Sequence, residues 1–390
     1  MRLSRQEYQD IRRREAENKK WYARSDGRAA MPHTICLSVN NNCYMRCKMC
    51  DIGATNEDRR RGLDQGYFSD RYRREGRYLE FPLERLKELV DEVAPKGPII
   101  KVNFVEPLLY KGLEEFAGHV KRRGLKFYTI TNGWLLKRHA RWLAELPADL
   151  IRVSLDGPED VHDDVRGIRG SFAKTMEGLH ELIRSKADGK QSPPILGLCY
   201  TISSYNYDRL VEMMDLLDRE GLLEHIYVSF NHLYYTTPWE VERTRGAADM
   251  FQDIKPCSMD HAAFERMDVE CLSGQIAQLR RKYDSKRYHY YFSPQLELDD
   301  LASYYDPNQW MFPGTPCYLP WYAAQISIDG EVGVWGHCML PSFGNVMEHG
   351  FDEVWNSEKA QAVRLELKAA GSYPMCNKCI GTLYPLRGRD

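Results

Sequence analysis

The sequence predicts an α/β protein: a partial (β/α)6 barrel of the TIM type over residues 34–282, then a small α+β module within 283–390. Three observations predict it. Six short β-type runs alternate with amphipathic stretches, as parallel strands and their crossover helices do. Six units are too few for the eight of a closed barrel. After residue 283 the pattern breaks into an aromatic-rich stretch and a cysteine-bearing tail.

The elements follow in order. Residues 1–33 are rich in Arg and Glu and read as a surface-helix extension. The strands are Thr34–Val39, Ile99–Phe104, Lys126–Thr131, Leu150–Leu155, Ile195–Ile202 and His225–Phe230, rich in the Val, Ile, Tyr and Phe that strands favour. Pro82 opens a helix with Leu83, Leu86, Val90 and Val93 on one face. Phe172, Met176, Leu179 and Ile183 mark a second, and Leu210, Met213, Met214 and Leu217 a third. All keep the three-to-four spacing of a buried stripe. Residues 283–310 read as a connector. Beyond it, Ala324–Ile328 and Glu331–Trp335 flank an Asp329-Gly330 turn, a hairpin signal, and a helix covers Phe351–Ala370.

Composition excludes several functions. The chain is 43% apolar and 28% charged with a formal net charge of −2, so no global field draws it to nucleic acid or membrane. MRLSRQEYQDIRRRE has no apolar signal core, and no apolar run reaches eighteen residues. A cytoplasmic location is expected. In that reducing setting eleven cysteines point to metal ligands rather than disulfides. Cys36, Cys199, Cys257 and Cys271 are scattered; the others form two groups.

The first group, Cys43, Cys47 and Cys50, lies on the loop after strand one in C-x3-C-x2-C spacing. In such barrels chemistry sits at the C-terminal strand ends. Three thiolates leave one iron of a cubane without a protein ligand. The bland alternatives are packing cysteines or a zinc site short of a ligand.

With this loop the sequence resembles the radical S-adenosylmethionine (SAM) superfamily. The resemblance implies that SAM chelates the open iron and is cleaved to methionine and a 5′-deoxyadenosyl radical. Met49 stands where an aromatic residue is common. The other landmarks appear in order. NFVEPLL resembles the Gly-Gly-Glu-Pro segment, with Phe104 and Val105 replacing the glycines, and implies that Glu106 accepts from the SAM amino group. TITNGWLL resembles the Thr-Asn-Gly segment and implies that Asn132 faces SAM or substrate. VSLDGPEDVHDDVRG implies Ser154 and Asp156 near the ribose and Arg166 near the carboxylate, which its fork suits. ISSYNYDRL, with Asn206, is also similar to the family.

The second group is Cys317, Cys338, Cys376 and Cys379. Four thiolates suit an auxiliary [4Fe–4S] cluster or a structural zinc equally. C-x15-G-x4-C, GN…EVWNS and CNKC resemble the SPASM and twitch domains of the superfamily, which implies an auxiliary [4Fe–4S] cluster. No cysteine follows Cys379, so the module reads as a twitch-like or reduced SPASM domain with one cluster.

A fully ligated auxiliary cluster suits electron transfer, so the resemblance implies a radical SAM oxidoreductase acting on a sugar- or cyclitol-like small molecule. An external one-electron reductant, flavodoxin or ferredoxin, would supply the first cluster. A redox-neutral epimerase is the alternative, with Cys199 or Cys257 as hydrogen-atom donor; the plainer reading of both is buried cysteine. Peptide maturation is a further alternative, although the 42 residues before Cys43 are few for a leader-binding domain. A non-catalytic Fe–S or zinc protein would need no SAM landmarks. Residues 51–80 mix Arg and acidic residues and read as a solvated surface, or as a substrate lid in which Arg59, Arg60 and Arg61 meet an anion. His232 and Tyr234 line the pocket or pack beneath the module.

Overall fold

The computed structural model describes residue 13 and residues 16–50, 78–146, 149–187, 194–257, 266–284, 287–311, 313–335 and 338–379. The proposed lid arginines Arg59, Arg60 and Arg61 lie outside them.

The strands are β1 (Thr34–Leu37), β2 (Ile99–Val102), β3 (Phe127–Thr131), β4 (Leu150–Ser154), β5 (Ile195–Ile202), β6 (Ile226–His232), β7 (Tyr290–Ser293), β8 (Ala323–Ile326), β9 (Glu331–Val334) and β10 (Gly344–Asn345). They form one sheet in the order β10-β9-β8-β1-β2-β3-β4-β5-β6-β7. From β1 to β7 every pair is parallel. The helices that follow the first strands are α1 (Leu83–Val93), α2 (Leu113–Arg122), α3 (Leu136–Glu145), α4 (Glu159–Arg166), α5 (Ser171–Ala187) and α6 (Leu210–Arg219). Then come α7 (Pro238–Arg245), α8 (Val269–Lys282), α9 (Asp300–Tyr305), α10 (Leu319–Tyr322), α11 (Phe351–Trp355) and α12 (Glu358–Ala370).

The partial barrel and the appended module are as the alternation predicts, with three differences. A seventh parallel strand, β7, stands in the stretch read as connector, where Tyr290, Tyr291 and Phe292 supply strand-forming bulk. The hairpin strand β8 pairs parallel with β1, Thr34 opposite Ala323, so the module continues the barrel sheet instead of hanging from it. The last helix is two, because Ser357 caps a fresh start by accepting from Ala360 N at 3.2 Å.

Alternation sorts the strands. Ile100, Val102, Ile151, Val153, Leu196 and Leu198 are buried against the helices, while Lys101, Arg152, Ser154 and Cys199 point the other way and are half-buried. Helix α1 closes the outside with Leu86, Leu89, Val90 and Val93. The N-terminal segment docks on the module: Ala29 N donates to Asn356 Oδ1 at 2.9 Å and Trp355 Nε1 to Ala30 O at 2.8 Å. The buried Arg364 donates to Gly27 O, Pro320 O and Trp355 O. Burial lowers its pKa to about 9.

Candidate functional site

The loop after β1 is fixed by its neighbours. Arg46 N donates to Arg166 O at 3.0 Å and Lys48 N to Val165 O at 2.9 Å, which ties the loop to the end of α4. Gly167 ends that helix at φ +68°, and a Cβ there would stand 2.6 Å from Arg46 O. Only glycine permits the approach. Cys43 and Cys47 are half-buried and Cys50 is exposed. Burial, then Cys47, Glu106 and Cys50 nearby, push the Cys43 thiol up to about 12. Burial also raises the Cys47 thiol, against the pull of Arg166.

The predicted SAM contacts gather around this loop. Asn132 Nδ2 donates to Cys43 Sγ at 3.4 Å, and Asn132 Oδ1 accepts from Trp134 N. Glu106 is fully buried. Its Oε1 accepts from Thr131 Oγ1 at 2.7 Å and Leu108 N at 3.0 Å, its Oε2 from Asn132 N at 2.7 Å. A carboxylate has about four acceptor positions, so one stays open. Phe104 and Val105, in place of the glycines, keep a glycine-like path at φ +64° and +45°.

Asp156 and Arg166 pair with each other: Arg166 Nη2 lies 2.6 Å from Asp156 Oδ2. Arg166 Nη1 donates to Cys47 Sγ at 3.6 Å, while its Nε is buried without an acceptor. Asp156 Oδ1 accepts from Thr201 N. Asn206 is used up as a lock, donating to Asp156 O and Thr201 O and accepting from Ser203 N. Ser154 ends β4 in register with Cys199. Three converging thiols, an orphaned guanidinium N–H and an acceptor position on Glu106 fit a cluster with an amino acid moiety beside it.

The second group converges as well. Burial raises the Cys317 thiol, and Cys376, Cys379 and Cys338 raise it further. Burial, Cys379 and Cys376 raise the Cys338 thiol. Among the described residues no group of three or more His, Cys, Asp or Glu closes around a single ion, so shared environment rather than ligand geometry sets these sites apart. Sequence reading missed the brace beside them. Buried Lys378 and Asn377, inside the CNKC turn, both donate to Glu240 Oε1 at 2.8 Å. A lysine and an asparagine between two cysteines were the available signal.

Other candidates are dispersed. Cys199 faces the barrel interior and accepts from Ser229 Oγ at 3.6 Å. Cys257 is buried elsewhere, pairs with Thr236 and neighbours Tyr234. Tyr234 donates to Met375 O at 3.3 Å, beneath the module, whereas His232 Nδ1 lies 2.7 Å from Tyr305 Oη on α9.

The radical SAM superfamily model matches residues 37–217, and the SPASM iron–sulfur cluster-binding domain matches residues 317–380. The chain carries a radical SAM domain followed by a C-terminal SPASM domain. Its cofactors are accordingly SAM and two [4Fe–4S] clusters. Among its relatives, the Fe-coproporphyrin III synthase of Methanosarcina barkeri is 28% identical over 71% of this chain and 66% of its own, so the chain spans just under two thirds of it. The AdoMet-dependent heme synthase of Nitratidesulfovibrio vulgaris is 29% identical over 91% of this chain and 89% of its own. In structure, Streptococcus suis SuiB bound to S-adenosylmethionine superposes with a TM-score of 0.55 at 13% identity, covering 91% of this chain and 72% of that one, a likeness of fold. No described helix is long and apolar enough to cross a membrane.

Proposed function

We propose that this chain is a radical SAM oxidoreductase that uses its second cluster as electron acceptor for a small-molecule substrate. The observation that carries this is the four-thiol group, Cys317 buried and Cys338, Cys376 and Cys379 half-buried, in a module built onto the same sheet as the three-thiol loop. When bound, SAM with the first cluster supplies a hydrogen-abstracting radical and the second cluster a one-electron sink. The protein's part is placement. Cys43, Cys47 and Cys50 would hold the first cluster, with Asn132 donating to one thiolate and Arg166 to another. Glu106 would take the SAM ammonium at its remaining acceptor position, and Arg166 Nε its carboxylate. Burial of Glu106, Asn132 and Arg166 keeps water from quenching the reaction.

The substrate class is open to two readings. Sugar or cyclitol oxidation rests on the resemblance of the second module to twitch domains. The relatives named as heme and Fe-coproporphyrin III synthases favour a carboxylated tetrapyrrole instead. External reduction by flavodoxin or ferredoxin suits either.

Iron analysis tests the cluster assignment. The anaerobically reconstituted chain should hold about eight irons, falling to about four when Cys43, Cys47 and Cys50 become Ala. The remainder should go when Cys376 and Cys379 are changed as well. Four irons plus one zinc in the parent chain would remove the electron sink and the oxidoreductase reading with it.

A further inference from the structure

Parallel strands covered on both faces read as almost unbroken apolar runs. Two strands here break that pattern with a cation on the inward face: Lys101 in IIKV (β2) and Arg152 in LIRVS (β4). Both point into the barrel, away from the helix layer. Lys101 Nζ sits 4.6 Å from the centre of the Trp335 ring. Arg152 Nε donates to Tyr227 Oη at 2.7 Å and Nη2 to Tyr291 Oη at 2.9 Å. Gly197 makes room for that arrangement, since a Cβ there would stand 2.4 Å from the Tyr227 ring.

Neither cation has a carboxylate partner among the described residues. Burial lowers the pKa of Lys101; the Cys36 thiol beside it raises it, and Arg152 lowers it further. The groups around them add donors. Tyr227 and Tyr291 accept from Arg152 and keep their own O–H to give, and Trp335 Nε1 is buried without an acceptor. Among the buried atoms without a partner, Asn103 Oδ1 and Thr129 Oγ1 are neutral acceptors that balance no charge. Two like charges and several spare donors facing one interior are costly unless something anionic enters.

We infer that the barrel interior seats an anionic arm of the substrate, a carboxylate or phosphate, between Lys101 and Arg152, with Tyr227, Tyr291 and Trp335 as further donors. The inference rests on the reading that chemistry occurs at the strand ends above. Arg152 lies two residues before Ser154, the end of β4, so the anion would sit about 7 Å below that level. An anchored arm would hold the rest of the substrate up toward the three-cysteine loop. Tyr291 is exposed on the edge strand β7, which places the anion site beside the open side of the sheet.

The test is binding, not turnover, on the reconstituted full chain. Succinate and inorganic phosphate serve as probes, with succinamide as the neutral control, followed by calorimetry and thermal melting. Saturable binding of either anion, with none of succinamide, is expected, and the stronger anion identifies the arm. Lys101→Met and Arg152→Met should each weaken it at least tenfold, while Lys101→Arg retains it. Without anion, Lys101→Met should melt at or above the parent, because a like-charge clash is gone. No anion binding by the parent would overturn the inference, as would binding that survives the double Met variant. So would a Lys101→Met chain that melts well below the parent, which marks a structural lysine. Iron content, measured on the same samples, reports separately on the cluster assignment.

Discussion

At the scale of single residues, Phe104 and Val105 show how a motif can survive the loss of its letters. Both hold positive φ where glycine is easy, and a β-branched valine there is strained by about 1–2 kcal/mol. The strain persists because Glu106, next in the chain, is fixed by Thr131, Leu108 and Asn132. Val105→Gly should therefore change unfolding free energy by less than about 1 kcal/mol in a urea titration, relief offsetting lost packing. A loss above about 2 kcal/mol would show that the valine packing dominates. His162 gives a second prediction. Its Nδ1 accepts from Asp156 N at 3.1 Å, and burial lowers its pKa to about 3. His232 is lowered likewise, to about 3, by burial. Both are neutral when folded but protonate near pH 6.5 when unfolded. Their contribution is complete above that pH and is lost as pH falls toward 3. Each should add about 1.4 kcal/mol per pH unit to the stability slope between pH 4 and 6. His162→Asn, which keeps an acceptor for Asp156 N, should flatten the slope by that amount in melts across this range. The Asp156–Arg166 pair was not legible beforehand, since sequence places both near a ligand but says nothing of their contact with each other.

At the scale of elements, six strands and three helices follow from periodicity because each buries one clear face. Strand β7 escaped because Tyr, Phe and His in YHYYFS satisfy strand and connector alike, and only its pairing with β6 decides. The CNKC turn offers a test at this level. Glu240 and Lys378 are each 1% exposed, and α7 presents Glu240 through a capping box with Thr237. Glu240→Gln would leave a buried cation without its counter-charge, a loss of about 3–5 kcal/mol. The expected result is about four irons lost per chain, all from the second site, with the first cluster's electron paramagnetic resonance signal kept. Lys378→Met should be milder, since it removes the charge rather than orphaning it. Equal iron loss from both sites would show a global collapse instead of a local brace.

At the scale of the whole molecule, the sequence separates a barrel from a tail, whereas the structure joins them through β1 and β8. Nothing local predicts that pairing, because both strands look like any other buried run. The same holds for the N-terminal segment, whose Ala29 and Asn356 bond across 327 residues of chain. The continuity also sets an order of events during synthesis. Strand β1 is made well before β8, and its second edge stays bare in between. Contacts this distant in sequence form slowly and expose unpaired edges meanwhile. The three-cysteine loop hangs from that same strand. Its ties to α4 can form before β8 exists, so the loop takes its path while the strand that carries it still has a bare edge.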